Sequence, residues 1–396
     1  MAIRGKNEGS IFRKPNGSWV AQVSVLGKRI SHSARSRADC QAWIRQSLDQ
    51  IDQGMTFEAR NLRLSDYLQE WIGVKKSSVR QRTAFQYERL ISLYIAPMLG
   101  RVRLKDMSLR VVNRFYERLS AQGVGVSHIR YAHRVLHAAL EQAAKTGLLG
   151  RNPAHGATLP KRPYREMAIL NEQQVTSFLV AASSSKFRAL FHLAVTTGMR
   201  FSELRGLSWS DVDWIKGTIS VKRQIQQMPR LGPTVGEPKT HSGIRTIRLG
   251  ETSLDMLREQ QRRVGQLRYE AGNDWQERGL IFPSRIGTPF APCAVQDEFR
   301  RVLEAANLPR IRFHDLRHTA ASLMLSHGVA ALVVSKILGH SSPSITLGIY
   351  AHSTLDMQDH AAGVIEEIVA PVAVTMAQLQ PTATATDFRP FSHPHI

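Results

Sequence analysis

Residues 314–350 read HDLRHTAASLMLSHGVAALVVSKILGHSSPSITLGIY. His314 and Arg317 are three residues apart at the head of an apolar-periodic segment (Leu316, Ala320, Leu323, Met324), which places both at one end of one helix. A second apolar run, Ala331 to Leu338, stops at Gly339, where glycine ends a helix and sets His340 on a turn. Tyr350 closes the stretch and is the first tyrosine after Tyr269. A cation, imidazoles and one phenol, with no cluster of carboxylates or cysteines beside them, suit an anionic substrate and covalent chemistry better than a metal.

The chain around this stretch is long and basic. Its 396 residues suffice for two or three domains, and 53 Lys and Arg against 32 Asp and Glu leave a net charge of +21. A polyanion is the partner that such a balance fits, nucleic acid before all. An anionic membrane surface fits less well, because the cations are scattered instead of gathered beside an amphipathic end. The preference for 40 Arg over 13 Lys fits phosphate recognition by guanidinium forks, and equally a GC-rich genome. Cys40 and Cys293 alone exclude a disulfide framework and a cysteine-built zinc site; both read as small buried hydrophobes of a reducing cytoplasm. No apolar run reaches membrane-spanning length, and the start MAIRGKNEGS lacks a signal peptide's apolar stretch.

The pattern predicts a multidomain protein, mainly α with small β-sheets. Residues 10–33 alternate around two turns and predict three antiparallel strands, followed by a helix over 36–53 that covers one face. Together they form a domain at 1–55 whose open face displays Arg13, Lys14, Lys28 and Arg29 toward a DNA groove. Residues 62–150 carry helical periodicity only, over 64–74, 77–96, 108–122 and 127–146. Lys75, Lys76, Arg80, Arg82, Arg89, Arg130 and Arg134 mark this bundle as a second DNA-contacting module, with Ser77, Ser78 and Ser127 as N-caps whose amides meet phosphates. Taken singly, each of these charges reads as solvated surface. After an extended, proline-rich basic linker, residues 165–368 form a mixed α+β domain. Asn171 caps its first helix, a second ends at Gly198, and Arg200 and Glu203 share a face of the next turn. Strands at 219–224 and 243–249 and helices at 252–269 and 291–306 follow. Residues 369–396, rich in Thr, Ala and Pro, read as a disordered tail.

Breaking a phosphodiester without a metal requires guanidinium groups on the non-bridging oxygens, a nucleophile, an acid for the leaving oxygen and hydrogen-bonding imidazoles. The large domain holds Arg200, Lys239, His314, Arg317, His340 and Tyr350. The segments TTGMRFSEL, EPKTHSGIRTI, HDLRHT and LGHSS, with Tyr350, resemble the tyrosine recombinase family, the integrases of temperate phages and related mobile elements. Combined they are highly specific, although each alone is weak. The helical stretch resembles that family's core-binding domain, and the N-terminal sheet the arm-binding domain of phage-type integrases.

The resemblance implies a site-specific recombinase. Tyr350 would attack the scissile phosphate, forming a 3′-phosphotyrosine bond and releasing a 5′-hydroxyl. Arg200 and Arg317 would clamp the phosphate, and Lys239, at a hairpin tip, would protonate the leaving oxygen. His314 would accept a proton, His340 would hydrogen-bond the phosphate, and Glu203 would order the site. The step from His340 to Tyr350 is one longer than the commonest family spacing, a form also found among mobile-element integrases. No metal or nucleotide cofactor is implied. The implied partners are double-stranded attachment sites, a homotetramer on DNA, and host DNA-bending and excision factors. Residues 356–368 are a candidate helix for contacting a neighbouring subunit.

Two other chemistries compete. His314-Asp315-Leu316-Arg317-His318 imitates a zinc-hydrolase H-E-x-x-H, but Arg317 would repel the ion, and His318 reads better as a packed, hydrogen-bonded histidine. A DNA-binding regulator that had lost catalysis would lack part of a set that is complete here. A type IB topoisomerase or a chromosome-dimer resolvase would not need the arm-like N-terminal domain. With so many phosphate-seeking cations, DNA affinity should fall steeply with salt, by about a thousandfold or more between roughly 50 and 200 mM. Binding isotherms across salt concentration measure this, and a flat dependence would contradict it.

Overall fold

The computed structural model describes residues 9–25, 28–52, 61–163, 168–238, 240–342 and Ser344. Lys239, Tyr350, the candidate helix at 356–368 and the tail at 369–396 lie outside the described residues. The chain divides into two compact units, 1–164 and 165–396.

In the first unit, β1 (Ser10–Arg13), β2 (Trp19–Val25) and β3 (Lys28–Ala34) form an antiparallel sheet in that order, and α1 (Arg37–Asp52) packs on it. Ala21 and Val23 meet Cys40 and Ile44 in a small core. The register corrects one expectation. Arg13 pairs with Trp19, two residues from Ala21, so it belongs to the helix-side face; Arg29, opposite Ser24, is on the open face. The Arg13 guanidinium lies 5.9 Å from the Trp19 ring and donates to the Gly17 carbonyl, 3.2 Å.

The helical part has its own core. It comprises α2 (Leu64–Ser78), α3 (Gln81–Leu90), a π-helical turn at Ile91–Ile95, α4 (Ala96–Leu99), α5 (Leu109–Ala121) and α6 (Val126–Lys145). Apolar residues spaced three and four apart, such as Val112, Phe115, Tyr116 and Leu119 on α5 and Ile129, Ala132, Leu136 and Leu140 on α6, supply that core. The polar ends of its tyrosines are satisfied: Tyr67 donates to the Ala139 carbonyl at 2.7 Å, and Tyr116 bonds His133 at 2.8 Å.

The three serines expected as N-caps are not caps. Ser77 and Ser78 belong to the last turn of α2, where their hydroxyls donate back to the Val74 and Lys75 carbonyls, and Ser127 lies inside α6 behind Gly125. Ser108 does cap α5, accepting from the Val111 amide.

The second unit is mixed. It contains α7 (Glu172–Ala181), α8 (Arg188–Thr197), α9 (Phe201–Arg205), α10 (Glu251–Ala271), α11 (Pro292–Ala305), α12 (Asp315–Ser326) and α13 (Ala331–Leu338). Strands β4 (Val212–Asp213), β5 (Thr218–Val221) and β8 (Arg245–Arg248) form one antiparallel sheet, and β6 (Gln224–Met228) pairs with β7 (Gly232–Gly236) in a hairpin. Asn171 forms a full capping box with Gln174, worth about 1 kcal/mol. The core gathers Phe178, Phe191, Phe299 and Phe313, with ring centroids 5.4 to 6.2 Å apart in tilted and edge arrangements. Cys293, expected buried, is exposed on the first turn of α11, whereas Cys40 is buried.

Helix α8 ends in a left-handed Gly198, φ 60°, set against α12 and α13. A β-carbon there would fall 2.3 Å from Cδ2 of the fully buried Leu338. Gly198→Ala should therefore cost about 2 to 4 kcal/mol, from left-handed strain and overpacking together. Gly232, also at positive φ (73°) but with open space around it, should cost only about 1 kcal/mol when made alanine. Denaturant midpoints of the two variants compare them directly, and equal losses would contradict the packing account.

Candidate active site

The site forms where α8, α9, β8, α12 and α13 converge, and one carboxylate organises it. Glu203, on α9, is 1% exposed and lies between two guanidinium groups. Arg200, the residue preceding α9, gives its Nη1 to Glu203 Oε1 at 2.7 Å and its backbone N–H to Oε2 at 3.0 Å. Arg245 gives Nη2 to the same Oε2 at 2.9 Å. Burial alone would raise the Glu203 carboxyl, but the Arg245 charge and the hydrogen bonds from both arginines outweigh it and hold it below the ordinary range.

Arg245 had no place among the sequence candidates. Its signal was available: strand alternation puts it on the same face as buried Ile247, opposite Val221, where an unpaired arginine is not tolerated. It also donates Nη1 to the Gly243 carbonyl, 3.0 Å, and Nε to the Ile337 carbonyl at the end of α13.

The two expected phosphate clamps are aimed by the same device. Arg317, in the first turn of α12, donates Nη1 to the carbonyl of Gly198 at 2.8 Å; Arg200 donates Nη2 to the carbonyl of Gly339 at 3.1 Å. Both glycines are left-handed helix ends, a conformation that turns a backbone carbonyl out of the helix for a side chain to use. Arg317 is only 4% exposed, and its Nη2 is buried without a hydrogen-bond partner among the described residues. Burial and the neighbouring Arg200 push its guanidinium down to about 9, still cationic at neutral pH.

Two imidazoles flank this cluster. Burial, with the charges of Arg317 and Arg200, pushes His340 down to about 4. His314 is likewise pushed to about 4 by the surrounding protein, by His318 and by Arg317, although part of the residue faces solvent. Both rings are neutral at pH 7, and a neutral imidazole carries one donor and one acceptor nitrogen. His318 packs edge to face on His314 with ring centroids 5.2 Å apart, as a packed histidine would, and its Nδ1 is buried with no hydrogen-bond partner among the described residues. Asp315, the acid of the H-E-x-x-H-like run, is bound by Arg312 through Nε at 3.0 Å and Nη2 at 2.7 Å, which leaves it a structural clamp on the entry to α12.

The structure thus brings together Arg200, Glu203, His314, Arg317 and His340, and adds Arg245. Lys239 and Tyr350 lie outside the described residues. Pro238 and Thr240 fall between β7 and β8, whereas the tip of the β6–β7 hairpin is Pro229–Leu231, so the neighbours of Lys239 are not at that tip. Three guanidinium groups against one carboxylate leave the cluster with a net positive charge, and Arg317 Nη2 has no hydrogen-bond partner among the described residues, an arrangement suited to an anion.

The basic residues of the first unit are dispersed. Lys75 and Lys76 end α2, with Lys76 paired to Glu88; Arg80 precedes α3, whose first and last turns carry Arg82 and Arg89. Arg130 and Arg134 share a face of α6, where Arg130 donates to the Pro160 carbonyl at 3.1 Å and Arg134 lies 5.1 Å from the Tyr131 ring. Among the described residues no helix is long and apolar enough to cross a membrane.

Residues 168–356 match the Phage integrase family, and residues 63–120 match the phage integrase N-terminal SAM-like domain. A tyrosine recombinase XerC-like protein of Caldanaerobacter subterraneus is 27% identical over 354 residues, 84% of this chain and 90% of the relative. Among solved structures, the Tn1549 transposon integrase in complex with a circular intermediate DNA has a TM-score of 0.66 at 23% identity, covering 78% of this chain and 99% of that one. A lambda integrase tetramer bound to a Holliday junction has a TM-score of 0.55 at 19% identity, covering 88% and 96%.

Because its folded carboxyl is depressed, Glu203 contributes stability that is complete above the ordinary carboxylate range and is lost as pH falls through the lower folded value. Glu203→Ala should cost about 3 to 5 kcal/mol at neutral pH, since it strands the buried Arg245 cation and removes the carboxylate partner of half-buried Arg200. The gap to wild type should narrow on acidification. Denaturant melts from neutral pH to pH about 3 follow it, and a gap independent of pH would contradict the assignment.

Proposed function

Because the chain belongs to the phage integrase family of tyrosine recombinases, we propose that it is a site-specific recombinase that integrates or excises a mobile element, with Tyr350 as nucleophile. The observation that carries the reading is Arg317: a buried guanidinium, already aimed by one carbonyl, with an N–H left for an incoming anion. A scissile phosphate placed there is held by Arg317 and Arg200 on its non-bridging oxygens, with His340 beside it.

Attack forms the bond from the Tyr350 phenolic oxygen to phosphorus and breaks the bond from phosphorus to the 5′ oxygen. The phenolic proton passes to neutral His314, and Lys239 gives a proton to the leaving 5′ oxygen. A phenol with an ordinary pKa of about 10 is protonated at pH 7, so the acceptor is required. The charge that develops on the phosphorus oxygens meets the guanidinium cluster, an arrangement typically worth several kcal/mol in such sites. The 5′-hydroxyl of a partner strand then reverses the step, which conserves the bond and needs no external energy source.

Around this catalytic domain, 165–368, we assign an arm-type DNA-binding domain to 1–55 and a core-binding domain to 62–150. Arg29, Lys75, Arg82, Arg130 and Arg134 contact the DNA backbone. The chain works as a homotetramer on paired attachment sites in the bacterial cytoplasm, helped by a DNA-bending host factor and an excision factor. The lambda integrase tetramer on a junction supports this reading by likeness of fold.

Incubating the protein with attachment-site duplex nicked beside the scissile phosphate should trap a denaturant-resistant protein–DNA adduct. Tyr350→Phe should abolish the adduct and leave duplex binding within about twofold, since the phenolic oxygen adds little ground-state affinity. An adduct that persists in that variant would reject Tyr350 as the nucleophile.

A further inference from the structure

A second group of titratable side chains lies in the first unit, at the C-terminal half of α6. His137 and Glu141 are four residues apart and so share one face of that helix, and His155 comes from the segment that follows it. One donor atom from each lies within 4.8 Å of the others. The His137 and His155 rings are 5.4 Å apart at 42°.

The surroundings hold these groups in place. Buried Asn152 donates Nδ2 to the His137 carbonyl at 3.1 Å and to Glu141 Oε2 at 2.9 Å, while its Oδ1 accepts from the Ala154 amide at 2.9 Å. One carboxylate oxygen is thus fixed by an amide and the other is left for a different partner, which is the outer-shell support that ligating carboxylates have. On the other side of His137 stands His133, 5.5 Å away by ring centroids and itself bonded to the Tyr116 hydroxyl.

We propose that His137, Glu141 and His155 bind a divalent transition-metal ion of the zinc class. Two imidazoles and one carboxylate are a donor set for zinc, with water as the fourth ligand, and not for magnesium or calcium, which take oxygen. A tetrahedral ion about 2.1 Å from each donor needs donors about 3.4 Å apart, so the side chains close in by about an ångström. The exposed His155 supplies that movement. The ion ties the segment after α6 back onto the helix that presents Arg130 and Arg134, adding a cross-link between residues 137 and 155 to the hydrogen bonds that Asn152 and Arg130 already make between segment and helix. This proposal stands apart from the recombinase site and does not depend on it.

The test uses the full-length chain, stripped of metal and titrated with Zn²⁺ in competition with a chromophoric chelator. The chain has 15 histidines, so variants are needed to locate any bound ion. Wild type should bind one ion that His155→Ala and Glu141→Gln each weaken by tenfold or more, and Asn152→Ala by about tenfold. Mg²⁺ in excess should not displace it. Thermal unfolding provides a second readout: Zn²⁺ should raise the wild-type Tm and leave that of His155→Ala unchanged, because only an ion bound to the folded state stabilises it. His155 is exposed, so its loss does not disturb the core. No zinc binding by wild type, or equal binding by wild type and the variants, would overturn the proposal.

Discussion

The second unit depends on a buried carboxylate held between two guanidinium groups. Glu203 has almost no contact with solvent, and its three hydrogen bonds from Arg200 and Arg245 tie α9 to β8. Arg245 extends the tie to the last carbonyls of α13. A carboxylate in this position is costly to bury and is stable only while both partners remain, so the geometry of the site and the packing of its helices stand or fall together. The acid therefore acts on the chemistry through the arginines that it positions.

The same economy governs the other two arginine positions of the cluster, Arg200 and Arg317. Arg200 and Arg317 are each oriented by the carbonyl of a left-handed glycine, Gly339 and Gly198, so that helix ends and cations are set by one device. Neither glycine has room for a β-carbon, Gly339 because the Ser242 carbonyl would lie 2.7 Å away. For Arg317, orientation by a neutral carbonyl leaves the guanidinium charge uncancelled, whereas Arg200 shares the Glu203 carboxylate with Arg245. Arg317 then has a buried N–H with no acceptor among the described residues, and both neighbouring imidazoles are pushed to the neutral form. In folding terms this is a deficit, and an incoming phosphate would remove it.

Much of this was legible in the residues, because the devices are local. The Arg200–Glu203 spacing, the glycines that stop α8 and α13, and His314 with Arg317 at the head of α12 all act within a turn of helix. What escaped was non-local or lacked a turn signal. Arg245 finds its partner 42 residues away. The β6–β7 hairpin turns through Arg230, a non-glycine residue at φ 65°, in place of an Asn-Gly pair. Ser77 and Ser78 read as caps because serine favours them, yet their hydroxyls fold back on α2 and the helix runs through. The facing of Arg13 depended on strand register, which one residue of slip inverts.

The central claim is that the guanidinium cluster exists to neutralise charge on a phosphate. Its most direct test is the rate of adduct formation by wild type and Arg317→Ala on two half-site duplexes, one with an ordinary scissile phosphate and one with a neutral methylphosphonate in its place. If Arg317 neutralises a non-bridging oxygen, the variant loses about a hundredfold or more on the phosphate and recovers most of that loss on the methylphosphonate. An equal loss on both substrates would contradict the account, because it would mean that Arg317 holds the fold and not the charge.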